Sequence, residues 1–286
     1  MRYGHALLAK LAAVHIRYER ADVRLLAPWW RDMTAFEQWC GPPVVHNVGK
    51  HAHRSLVSND DIAGITAVSA TLGQKYAEVD MLVHIAERYG KHHVAAYLAN
   101  KFPTKASARS GDLGEIIATA YLDEECSYSV GPSRLIDRDH QEWAMRGDDV
   151  LGVKIDAENV ALLAKVEAKS GKRISKKVVA DARAGLERCD GLPAPQSLSQ
   201  FAERLRRASE ESLADAVLRI QLVDGIRPEN VTHVMFLFTG SDPTDFVEGD
   251  LGSYTGSIQQ LTMTLRVAAH PKFISDVYEK ALAYDA

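Results

Sequence analysis

The stretch that most limits what this chain can fold into is residues 162–170, Leu-Leu-Ala-Lys-Val-Glu-Ala-Lys-Ser. In an extended strand successive side chains point to opposite faces, so Ala164, Val166 and Ala168 share an apolar face while Lys165, Glu167 and Lys169 share the other. Placing charges against a core costs several kcal/mol per ion unless partners or a metal compensate. A core-like strand that carries Glu167-Ala168-Lys169 therefore points to a site.

The flanking sequence supplies partners for that strand. Arg146-Gly-Asp-Asp-Val-Leu-Gly-Val153 reads as a turn entering a strand that lasts to about Ile155, and Asp156-Ala-Glu-Asn159 as the turn back, which predicts an antiparallel pair. Val234-Met-Phe-Leu-Phe238, inside a strand over 231–239, suits burial on both faces. Helical spacing predicts an N-terminal helix through Leu7, Leu8, Leu11, Val14 and Tyr18, broken at Pro28, and a helix announced by the capping residues Asn59, Asp60 and Asp61. Further helices are expected before Gly90, at 94–98, from Gly111 to about Leu122, at 174–186, over a long 199–220, and twice in the tail, at 258–268 and 271–283. Residues 127–135 read as β-like and turn-rich, and 40–53 as a loop. The polar joint at 105–111 divides a helical N-terminal region, 1–105, from a second domain, 106–286, and the fold class is α/β with a mixed sheet.

Composition narrows the function classes. With 286 residues and 46% hydrophobic content the chain can bury a core unaided, and its net charge of -4 argues against a basic protein that coats nucleic acid, while leaving a local basic patch open. Cys40, Cys126 and Cys189 are widely spaced, which fits free thiols in a reducing compartment and makes the cytoplasm the expected location. The apolar run 6–16 is interrupted by Lys10 and His15 and reads as a helix rather than a signal peptide, and no segment reaches the length of a membrane span. Eight of the eleven His precede Lys105, so imidazole chemistry is not expected in the second domain. Cys40, His46, His51 and His53 match no standard zinc-ligand spacing, and a His-bearing surface loop is the preferred reading.

The acidic signals fall in a definite order: Glu115 on a helix, Asp149 at a strand start, Glu167 and Lys169 on the next strand. This order resembles the PD-(D/E)xK nuclease superfamily, with its restriction-endonuclease-like core. The resemblance implies Mg²⁺ (or Mn²⁺) held by Glu115, Asp149 and Glu167, with Lys169 orienting water or neutralising phosphate. Gly147-Asp148-Asp149 stands where the superfamily has Pro-Asp, so Asp148 remains an alternative to the favoured Asp149. Lys172, Arg173, Lys176 and Lys177 follow the strand and, with Lys165, are candidate nucleic-acid contacts. Each signal also has a plainer use. Asp112 with Glu115 forms a capping-box arrangement, Glu167 with Lys169 an exposed ion pair, the basic run a solvated helix face, and Trp29, Trp30, Trp39 and Trp143 ordinary packing.

Ser110-Gly-Asp-Leu-Gly-Glu115, Arg146-Gly-Asp-Asp-Val-Leu-Gly152 and Glu167-Ala-Lys-Ser170 together resemble the HamA and AbpA family of Hachiman anti-phage defence, over about 107–238. That resemblance implies a DNA nuclease acting as the effector subunit of a complex with a HamB-like superfamily 2 helicase. A non-catalytic subunit that keeps the fold and binds nucleic acid or a partner is the alternative. The residues alone do not choose DNA over RNA.

Overall fold

A computed structural model describes residues 34–142 and 145–283. The expected N-terminal helix, Trp29, Trp30 and Trp143 lie outside the described residues. Six strands form one mixed sheet: β1 (Val44–Val48), β2 (His51–Val57), β3 (Val150–Ile155), β4 (Ala161–Gly171), β5 (Val231–Thr239) and β6 (Gln259–Arg266), in the order β1-β2-β6-β5-β4-β3. β2, β6, β5 and β4 run parallel, and β1 and β3 close the two edges antiparallel. The α/β class, the β3–β4 hairpin and the doubly buried β5 thus stand as expected.

Strand alternation divides the sheet into unlike faces. Val166, Val234, Phe236, Phe238, Met263 and Leu265 pack on α1 (Asp61–Tyr76), α4 (Ala106–Cys126) and α9 (His270–Leu282), with α2 (Val79–Tyr89) and α3 (Lys91–Ala99) joining the same core. Against the opposite face, Met235 and Leu237 meet α5 (Lys176–Glu187) and α8 (Thr244–Ser253), while Leu151, Val153 and Leu163 meet α6 (Pro195–Arg207) and α7 (Glu211–Arg219). Asp60 caps α1 by accepting from Ile62 N and Ala63 N, both at 3.0 Å, and Gly90 ends α2 at φ 94.

Several expectations give way. Residues 40–53 are not a loop: β1 and β2 form a hairpin turning at Gly49 (φ 61), and β2 pairs with β6. Their polar content misled because β1 is an exposed edge, while His51 and His53 of β2 belong to a hydrogen-bonded polar layer with Gln260 and Thr264. Residues 259–266 are a strand, not a helix. Both faces are buried, and Thr262 and Thr264 alternate with Leu261, Met263 and Leu265. The long helix over 199–220 is two, α6 and α7, broken where Ser209 takes φ 61. Residues 127–135 make only the isolated bridge Ser129↔Val153 and lead into a 3-10 turn, Arg134–Asp137. α4 begins at Ala106, so the polar joint at 105–111 is helix and Asp112 and Glu115 sit inside it, which removes the capping-box reading. The main core takes buried residues from both sides of residue 105, from Phe36 to Ala281.

Candidate active site

The site forms where β3 leaves β4. Val150↔Val166 is the first pair of the hairpin, and past it the β4 edge is free. Asp149, just outside β3, fills that edge: its Oδ2 accepts from Ala168 N at 3.0 Å. Its Oδ1 accepts from Arg134 Nη2 at 3.1 Å. Arg134 forks onto Glu115 as well, through Nε to Oε2 at 2.9 Å and Nη2 to Oε1 at 2.8 Å. Glu115 is brought there by the close approach of α4 to β4, since a Cβ on Gly114 would stand 3.1 Å from Ser170 Cβ. A neighbouring arginine repeats the arrangement one turn away, Arg138 forking onto Asp112 at 2.5 and 2.7 Å.

On the opposite face of β4, Glu167 is 6% exposed. Its Oε1 accepts from Lys169 Nζ at 2.6 Å and its Oε2 from Arg188 Nη2 at 3.0 Å. Three carboxylates thus meet three cations, Arg134, Lys169 and Arg188, the cations compensating the buried acids as burial demands. Burial, opposed by Arg134, pushes the Glu115 carboxyl up to about 7. Asp149 is raised by burial and then by the charge of Glu167, and lowered by Arg134.

The three-carboxylate set expected around one ion is only partly assembled. The charge of Glu167 raises the Asp149 carboxyl, whereas Glu115 is joined to Asp149 through Arg134 and sits on α4, across the sheet from Glu167. Among the described residues, no three His, Cys, Asp or Glu side chains form a group able to hold a metal ion, and this includes the loop-read Cys40, His46, His51 and His53. Asp149 and Glu167 still suit Mg²⁺, which commonly takes one or two carboxylates and completes its shell with water and substrate phosphate.

The two aspartates have different partners. Asp148 is buried, its Oδ2 accepting from Ala194 N at 2.8 Å and its N–H donating to Ser197 Oγ at 3.0 Å. Gly147 permits this turn at φ 101, where a Cβ would also collide with Ser197 Oγ. Asp148 also faces Lys165 at 3.7 Å. Lys165 shares the face of Glu167 as expected but is 1% exposed, and its Nζ donates to Arg188 O at 2.7 Å and Leu192 O at 2.9 Å. It therefore braces the 188–194 segment and does not reach a nucleic acid. Lys172, Arg173, Lys176 and Lys177 are exposed beyond the end of β4, with Lys177 paired to Asp181 at 2.7 Å.

Arg134, Arg188 and Gly185 escaped sequence reading. The two arginines sit outside regular strands and meet their acids 19 and 21 residues away, which leaves no local spacing signal.

A family model for HamA matches residues 65–281. The chain belongs to the HamA family. A curated HamA relative, "Hachiman protein HamA" of Bacillus cereus, is 27% identical over 165 residues, which are 57% of this chain and 58% of that protein. The aligned stretch thus spans less than two thirds of the relative's length. In this HamA-family chain the match takes in α4, the β3–β4 hairpin and every charged residue of the site. Among its described residues no helix is long and apolar enough to cross a membrane.

Proposed function

We propose that this HamA-family chain is a Mg²⁺- or Mn²⁺-dependent nuclease that hydrolyses DNA phosphodiesters. In this reading it is the effector subunit of a Hachiman-type anti-phage complex with a superfamily 2 helicase. The observation that carries the reading is Asp149 placed against Glu167-Ala168-Lys169 at the parting of β3 and β4, with a backbone N–H of β4 fixing its carboxylate. That arrangement fits a PD-(D/E)xK-like core. Asp149 and Glu167 would hold the ion, and Lys169, already within 2.6 Å of Glu167, would hold water or a phosphate oxygen. The ion supplies a Lewis acid for the phosphate and a more acidic bound water. Lys172, Arg173, Lys176 and Lys177 would offset the phosphate charge of the approaching strand.

A second reading, a non-catalytic subunit that keeps the fold, draws on the pairing of both Glu167 oxygens and both Asp149 oxygens with protein donors. One experiment separates the two. The purified chain, alone and with a candidate helicase, is incubated with Mg²⁺ and plasmid DNA, linear DNA or RNA. Glu167→Gln and Lys169→Met are expected to cut cleavage on the order of 100-fold, as loss of a transition-state contact does, with circular dichroism unchanged. Cleavage at the original rate in both variants, or none with any substrate in the combined sample, would remove the nuclease assignment.

A further inference from the structure

Arg134 holds one oxygen of Asp149 and both oxygens of Glu115. Its Nη2 lies 2.8 Å from Glu115 Oε1 and 3.1 Å from Asp149 Oδ1, and the side chain is 10% exposed. The other Asp149 oxygen accepts from Ala168 N, so Arg134 holds the oxygen that no backbone N–H engages. A guanidinium there opposes a divalent cation by like charge.

The seat of Arg134 is also crowded from behind. Arg204, buried on α6, lines the same small cavity as Glu115, Arg134 and Asp149, and its Nε has no hydrogen-bond partner among the described residues. A second cation beside the first weakens the hold of the acids on Arg134. The support itself is slight: a 3-10 turn of four residues, Arg134–Asp137, capped by Ser133 Oγ and tied outward by the exposed pair Asp137–Arg207.

We propose that Arg134 is a displaceable counter-ion that closes Asp149 to divalent cations and leaves it for a nucleic-acid phosphate, so that metal and phosphate bind together. This rests on the nuclease reading above. An arginine fork fits phosphate as well as carboxylate, so the exchange keeps its donor geometry. Linkage then makes the coupling reciprocal: phosphate tightens metal as much as metal tightens phosphate.

The test is Mn²⁺ binding by calorimetry on the full chain, without nucleic acid and then with a short phosphorothioate duplex. The variants are the double variant Arg134→Gln/Glu115→Gln, which leaves net charge unchanged, and Asp149→Asn, with folding checked by circular dichroism. The double variant is expected to bind Mn²⁺ about tenfold more tightly than the original chain, and the duplex to tighten only the original by a similar factor. Affinity equal to or weaker than the original, with Asp149→Asn abolishing binding, would overturn the role of Arg134 and leave the metal site standing. Absence of Mn²⁺ binding in every sample would overturn both. Should the double variant fail to fold, Arg134→Gln alone removes the like charge and is expected to tighten Mn²⁺ several-fold, with unchanged affinity counting against the proposal.

Discussion

At the scale of single residues, the Glu167 carboxylate owes its position to a missing side chain. A Cβ on Gly185 of α5 would run into that carboxyl group. Alanine is ordinarily the better helix former by about 1 kcal/mol. Here Gly185→Ala is expected to lower stability instead, by about 1–3 kcal/mol as overpacking does, because Glu167 must leave Lys169 and Arg188. Urea unfolding checks the sign, and loss of cleavage in the same variant checks the link to the site. Lys165 shows how far residue-level reading reaches. Alternation gave its face correctly, yet whether that face held solvent or a packed segment depended on α5 and the 188–194 segment folding over it.

At the scale of elements, breaks and pairings matter more than propensity. Ser209, at φ 61 just past the end of α6, holds a left-handed conformation that glycine adopts without penalty. Ser209→Gly is expected to raise stability by up to about 1 kcal/mol, seen as a higher unfolding midpoint with an unchanged m-value. The same break was invisible as a helix stop because no Gly or Pro marks it, while Leu198, Phe201, Leu205, Ala214 and Val217 continue an apolar stripe into one core. β6 failed in the other direction. Ile258, Leu261, Leu265 and Ala268 fall at helical spacing, and that pattern masked the alternation of Leu261, Met263 and Leu265 with Thr262 and Thr264. β4, with charges on one face only, was legible for the converse reason.

At the scale of the whole molecule, two buried imidazoles oppose acid. Burial holds His233 and His270 down to about 4, against an ordinary value of 6.5. The unfolded chain therefore binds more protons between those values, and stability falls as pH drops from about 6.5 to 4, by up to roughly 3 kcal/mol for each His. Glu115 works the other way. Its folded value of about 7 lies above the ordinary 4.5, so lowering pH through that range favours the folded chain and offsets part of the loss. Glu115→Gln is expected to steepen the fall in melting temperature between pH 7 and 4. An unchanged slope would show that Arg134 keeps the acid ionised throughout.

β2 pairs with β6, and α1 packs in one core with α4 and α9. A chain of residues 106–286 alone would leave the β6 edge and that core uncovered, so it is expected to lack a cooperative thermal transition. A sharp transition in differential scanning calorimetry would support a division into two domains near residue 105.

The sequence by itself determined the β3–β4 hairpin, the doubly buried β5, the caps of α1 and α2 and the charged face of β4. Each of these follows from spacing within a few residues. Only the tertiary structure decided that Asp149 accepts from Arg134 and Ala168 while Asp148 accepts from Ala194, that Lys165 is a buried brace, and that Arg134 and Arg188 neutralise the acids. Those outcomes depend on contacts between segments 15 to 46 residues apart. Local periodicity carries no information about which distant cation will offset the cost of burying a given carboxylate.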